Sequence, residues 1–213
     1  MMKWLFLLVS VFVTGCNSGR KAGPDVVTDV FSASAVDTVT PYFAMGDAWM
    51  SRFYEVEVGS ILRCLHEPVL HNYGGKGACI RLTWLRPFDN PVVIRLNSYK
   101  DTCYIVIKEL AAKRFEGDSG TIIKDTSFYV DNTLWQNAVI GLESQRFFSA
   151  LTQDKAAMQE KDGVLWLLEC RLHDKYNCVE GADGGELTNQ FLQQYAAPLL
   201  EVAGRVITLK SRS

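Results

Sequence analysis

Apolar and polar positions change period several times along this chain, and each change marks an element. Near the middle the period is two: Ile80, Leu82 and Trp84 alternate with Arg81, Thr83 and Leu85. Alternation sends successive side chains to opposite sheet faces, so this stretch predicts a strand. Apolar runs at 92–96 and 103–110 predict two more, with residues 97–102 as a hairpin-length link. Residues 111–131 are polar and irregular, with strand character at Ile122 and again at 128–130. A helical period then takes over at Trp135, Ala138, Val139 and Leu142, capped by Asp131 or Asn132. Asp162-Gly163 turns into an apolar strand over 164–171, and His173-Asp174-Lys175 forms a three-residue loop into a strand at 176–179. Residues 181–185 read as a loop. A last stripe of Leu187, Phe191, Leu192 and Tyr195 predicts a helix ending near Pro198. Upstream, Trp49 with Phe53 and Met50 with Tyr54 share a helical face. Gly59 breaks that helix, Ser60 caps a second one through Ile61, Leu62 and Leu65, and Pro68 stops it. Gly74-Gly75-Lys76-Gly77 is a turn, since no strand precedes it as a phosphate loop requires. The order predicts a single α+β domain, an antiparallel sheet with helices packed on one face.

The first residues follow a different rule. Lys3 precedes an apolar run from Trp4 to Val13, too short for the roughly 20 residues that cross a bilayer but suited to a signal peptide. Val13-Thr14-Gly15-Cys16 resembles a bacterial lipobox, with Val13 where Leu is commoner. The resemblance implies that residues 1–15 are removed and that Cys16 carries the lipid. The alternative is an ordinary cleaved signal with an incidental cysteine. Asn17 in place of Asp implies, by likeness to Gram-negative lipoproteins, passage to the outer membrane facing the periplasm. Residues 16–40, mixed in Ser, Gly, Thr, Asp and Pro, read as a tether, leaving 41–213 as the globular domain.

Composition narrows the partners. The chain has 213 residues and is 48% hydrophobic, enough for a packed core. Its formal charge is −2, with no basic run, which leaves nothing to neutralise nucleic-acid phosphates. Contact with the membrane is expected through the lipid alone. Of six cysteines, Cys16 goes to the lipid, and Cys64, Cys79, Cys103, Cys170 and Cys178 remain. Five is odd, so at least one stays unpaired or pairs with another molecule. No segment suggests a cofactor.

The segment Asp162-Gly163-x-x-Trp166-x-x-Glu169, followed by Lys175-Tyr176, resembles an uncharacterised family of bacterial envelope proteins with a DG-x-x-W-x-x-E…Y pattern. Leu65-His66-Glu67-Pro68-Val69-Leu70 and residues 81–88 agree in placement, and the likeness covers roughly 60–195. Asn177 stands where such families commonly show His. The resemblance implies a fold and a compartment, not an activity. On the predicted strand, Trp166 and Leu168 face the core, while Leu167 and Glu169 face the other way. Glu169 can then pair with Arg81, Arg95 or Lys108 across the sheet. Two readings follow for Arg81, Arg95, Lys108, Glu169 and Arg171: a salt-bridged sheet face, or a shallow polar face that docks a partner. A three-residue hairpin loop would set Cys170 opposite Cys178 for a disulfide. Cys170, His173 and Cys178 are metal-binding residue types, but a fourth ligand is missing and no metal is expected.

Catalytic candidates are few. Gly117-Asp118-Ser119-Gly120 is similar to the nucleophile segment of chymotrypsin-like proteases, but Thr121 follows in place of a further Gly. Neither His66 nor His71 sits in a setting that would activate the serine, so a turn is the better reading. His66 follows a helix and can meet its terminal carbonyls. Glu67, Asp162 and Glu169 could form an acid–base pair. Two functions stand: a lipid-anchored module that binds a protein, as an inhibitor or immunity protein would, and a small envelope hydrolase of peptidoglycan or glycan using Glu169 or Glu67 as acid.

Overall fold

A computed structural model describes residues 41–43, 54–73, 77–85, 89–111, 120–150, 165–182, 199–200 and 203. The lipobox, the tether, the Trp49–Phe53 helical face, the Ser119 turn, Asp162-Gly163 and the helix expected over 187–195 lie outside them. Six strands form one antiparallel sheet: β1 (Ala78–Leu85), β2 (Val92–Tyr99), β3 (Thr102–Leu110), β4 (Ile122–Val130), β5 (Leu165–Leu172) and β6 (Lys175–Ala182), in the order β4-β3-β2-β1-β5-β6. Strands β1 to β4 meander outward. After β4 the chain enters a helix, and β5 then pairs with the free side of β1. The helices are α1 (Ser60–Cys64), preceded by a π-helical turn at Glu55–Gly59, and α2 (Asn132–Ser144), followed by a 3-10 turn at Phe147–Ser149. No helix among the described residues is long and apolar enough to cross a membrane.

The alternation read from the sequence decides which side chains meet. Ile80, Leu82, Trp84, Ile94, Leu96, Ile105, Ile107, Trp166 and Leu168 share one face and form the main core. Trp84 and Trp166 are register partners whose rings stack at 4.6 Å between centroids, a contact worth about 0.5–1.5 kcal/mol beyond burial. Helix α2 covers this face through Leu134, Trp135, Ala138, Val139 and Leu142. Asp131 caps it by accepting from the Thr133 amide at 2.7 Å. From edge strand β6, Asn177 Nδ2 donates to the Phe147 and Ala150 carbonyls at 2.5 and 3.2 Å, fastening the 3-10 turn against the core.

The second face is covered as well, so helices do not pack on one face only. Tyr42, Phe43, Tyr54, Val58, Leu62 and Leu65 lie over Val93, Leu110, Leu167 and Cys178. Gly59 does not break the helix as expected. The π-helical turn runs through it into α1, and an added Cβ there would meet the Glu55 carboxyl at 3.0 Å. That carboxylate folds back to accept from the Tyr42 amide at 2.6 Å and pairs with Arg63, which ties residue 42 to the helix.

Three further expectations change in detail. Residues 97–99 extend β2, leaving the two-residue link Lys100-Asp101 in place of 97–102. The stretch read as largely irregular holds a continuous nine-residue strand, β4, entered through Gly120 at φ 68 with Leu110 packed where a side chain would sit. Gly181 belongs to β6, not to a loop.

Candidate functional site

The polar side chains of the second face gather into one buried cluster. Cross-strand register places Glu169, Arg81 and Arg95 in a row over β5, β1 and β2. All three are fully buried, and Lys108 on β3 is 6% exposed. Arg81 holds Glu169 in a fork, Nε to Oε2 at 2.7 Å and Nη2 to Oε1 at 2.8 Å. Planar two-point contact of this kind is what guanidinium offers and ammonium does not. Tyr176 donates its hydroxyl to the same Oε1 at 2.9 Å.

Glu67 supplies the second negative charge from the covering segment. Helix α1 ends in a Schellman motif: the His66 amide donates to Arg63 O at 3.0 Å and the Glu67 amide to Leu62 O at 2.9 Å. His66 takes the left-handed conformation this turn needs, φ 52, and the turn aims Glu67 down onto the sheet. There its Oε2 lies 2.9 Å from Arg95 Nε and 3.6 Å from Arg81 Nη1, and its Oε1 lies 3.1 Å from Lys108 Nζ. The Lys108 ammonium also donates to the carbonyls of Leu65 at 2.7 Å and His66 at 3.3 Å. A lysine thus closes the helix C-terminus, the task expected of the His66 ring, which is exposed. Arg81 Nη1 donates to Pro68 O at 2.7 Å, Arg95 Nη1 to Asn97 Oδ1 at 2.8 Å, and Tyr42 donates its hydroxyl to Glu67 O at 2.6 Å.

Electrostatics follow from this geometry. Burial works against the Glu67 carboxylate, but the charges of Arg95, Lys108 and Arg81 outweigh it and hold its pKa below the ordinary 4.5. Burial likewise opposes the Arg81 charge, and Glu169 reverses the effect, so the guanidinium stays protonated. Burial lifts the Tyr42 hydroxyl to about 12 and the Tyr176 hydroxyl well above its usual 10.0. The cluster is a hydrogen-bonded interior in which three cations share two carboxylates.

Of the five residues considered as a docking face, the structure buries four. Arg81, Arg95, Lys108 and Glu169 lie beneath residues 42 and 65–68, where no partner reaches them. Arg171 is half-buried and spends its guanidinium on the His71, Leu70 and His173 carbonyls. The salt-bridged reading describes them: Glu169 pairs with Arg81. Glu67 and Glu169, considered as general acids, serve as counter-charges, and the lowered Glu67 pKa runs opposite to what a proton donor needs near neutrality.

The β5–β6 loop has two residues, His173-Asp174, not three. One residue less shifts the register by one and flips every facing side chain. Cys170 therefore opposes Asn177 in the main core, while Cys178 opposes Glu169 on the second face. A Cys170–Cys178 disulfide and a Cys170/His173/Cys178 metal site both need the two thiols on one side, and they are not. Among the described residues no group of three or more His, Cys, Asp or Glu side chains is placed to hold a metal ion.

Edge strand β4 is where sequence reasoning missed an accessible surface. Val130 and Phe128 turn into the main core, while Tyr129 on the other face is 51% exposed beside exposed Asp125 and Ser127, and Ile123, the extra residue of a β-bulge opposite Glu109 and Leu110, is 53% exposed. The cover reaches β4 only at Ile122, and the outer edge of β4 pairs with no strand among the described residues. Polar Asp125 and Ser127 between Ile123 and Tyr129 hide this surface in a stretch that reads as polar and irregular. The chain matches no protein-family model, and no curated protein is similar to it.

Proposed function

We propose that this chain is a lipid-anchored protein of the bacterial envelope, held at the outer membrane facing the periplasm through Cys16, that works by binding another protein. An inhibitor or immunity protein is its concrete form. Residues 16–40 act as the tether, and the sheet domain presents the binding surface. The observation that carries this reading is β4: a nine-residue strand at a sheet edge with Ile123 and Tyr129 exposed. An extended segment of a partner can add to such an edge, its backbone supplying hydrogen bonds and its apolar side chains meeting Ile123 and Tyr129.

The test is affinity capture from envelope extracts with the full chain in detergent, beside Ile123→Lys and Tyr129→Lys. Both positions are exposed, so stability should change by no more than about 0.5 kcal/mol. One stoichiometric partner held by the parent protein and lost by both variants supports the reading. Absence of a partner together with turnover of a muropeptide overturns it in favour of a hydrolase. Replacing Cys16 with Ser should leave an unlipidated precursor, and acylation persisting in that variant would remove the anchor from the proposal.

A further inference from the structure

At the end of the sheet where β1 begins, the strand order creates a groove. β1 lies between β2 and β5, so the hairpin tips Lys100-Asp101 and His173-Asp174 stand on either side of its first residues. Gly77 and Ala78 form a floor with almost no side chain, and Trp135 of α2 forms a wall. The Asn132 side chain, at the start of α2, donates from Nδ2 to Asp101 O at 3.3 Å and pins the first tip to the helix. The space is about 700 Å³, within the size range of small-ligand sites.

Its lining has a distinct chemistry. The two tips repeat one arrangement: a basic or titratable residue in left-handed conformation, Lys100 at φ 54 and His173 at φ 56, followed by an aspartate. Lys100 and His173 both line the groove, and Asp101 and Asp174 do not. Among the described residues, the lining therefore carries a cation and an imidazole but no carboxylate. Half-buried Trp135 adds aromatic surface, and the Lys100 ammonium lies 5.3 Å from the ring centre of its neighbour Tyr99. Ser98 adds a hydroxyl.

We infer that this groove binds a carboxylate-bearing sugar ring. Trp135 takes the apolar face of the ring, Ser98 and the half-buried backbone at Gly77 meet ring hydroxyls, and Lys100 with His173 receives the carboxylate. A flat aromatic beside cationic donors suits an acidic sugar better than a neutral one, because the charge-assisted hydrogen bond is about twice as strong as a neutral one. The site lies away from the β4 surface and does not depend on it.

The test is NMR titration of the full chain with glucuronate, galacturonate and N-acetylmuramate, each beside its neutral counterpart glucose, galactose or N-acetylglucosamine, and with acetate as a bare anion. The expected result is saturable shifts of the Ser98–Lys100 and His173 amides by at least one acidic sugar, about tenfold tighter than its neutral counterpart. Lys100→Ala and Trp135→Phe should each weaken binding severalfold, the second keeping an aromatic ring in the core. Ile140→Ala, altering an exposed residue of the same helix, should leave binding unchanged. No saturation by any acidic sugar, equal binding of the neutral counterpart, equal shifts with acetate, or shifts mapping elsewhere would each overturn the inference.

Discussion

Arg81 and Arg95 stand directly opposite one another on β1 and β2, both fully buried, with the Glu67 carboxylate reaching both. Like charges facing across a sheet repel. The pair persists because Glu169 neutralises Arg81 from the neighbouring strand, while Glu67 serves Arg95 and Lys108 from above. Glu67→Gln leaves three buried cations against one carboxylate and should cost about 3–5 kcal/mol of unfolding free energy. Urea titration measures it. Adding Arg95→Met to that variant should restore part of the loss, since it removes an unmatched charge. A further fall of full additive size would show that the two residues are not coupled.

Acid should unfold the domain through the same residue. The Glu67 pKa is lower in the folded protein than its ordinary 4.5. Its contribution is therefore fully present above that value and is lost as pH falls through the lowered folded value. Stability measured between pH 6 and 3 should drop steeply for the parent protein and much less for Glu67→Gln. Parallel curves would place the acid response elsewhere.

Glu180 behaves in the opposite sense. It is buried on β6, its Oε2 has no hydrogen-bond partner among the described residues, and burial raises its pKa to about 7. A raised carboxyl favours the folded state while protonated, so its stability is complete below 4.5 and declines as pH rises through 7. Glu180→Gln should stabilise the domain by about 3 kcal/mol at pH 8.5 and by almost nothing at pH 4. A gain independent of pH would assign the effect to packing.

Arg146 follows the last residues of α2 with φ 56, its amide donating to Glu143 O at 3.0 Å, and its side chain is exposed. Non-glycine residues are strained by about 1–2 kcal/mol there. Arg146→Gly should raise stability by about 1 kcal/mol, reduced by the greater freedom of glycine in the unfolded chain. Thermal unfolding reads this as a rise of a few degrees.

Much of the fold is legible in the sequence. The alternation through Ile80, Leu82 and Trp84 put Arg81 and Thr83 on the opposite face, and Trp166 and Leu168 against Leu167 and Glu169, as observed. The spacing of Trp135, Ala138, Val139 and Leu142 located α2, and Asp131 is its cap. Strand β4 was harder, because an edge strand with one open face carries too few apolar residues to look continuous. The hairpin at 173–174 is one residue shorter than its sequence suggests, because loop length is decided by backbone conformation and a left-handed His173 lets two residues make the turn.

Sequence alone determined the period of each element and hence which side chains share a face, since a strand alternates and a helix repeats wherever it is placed. Tertiary structure alone decided what lies against those faces. Residues 42 and 65–68 cover a charged sheet surface that polarity would assign to solvent, because Glu67 and the carbonyls of Leu65, His66 and Pro68 satisfy its cations once the chain has folded over it. That satisfaction depends on contacts between residues far apart in the chain, which no local pattern records.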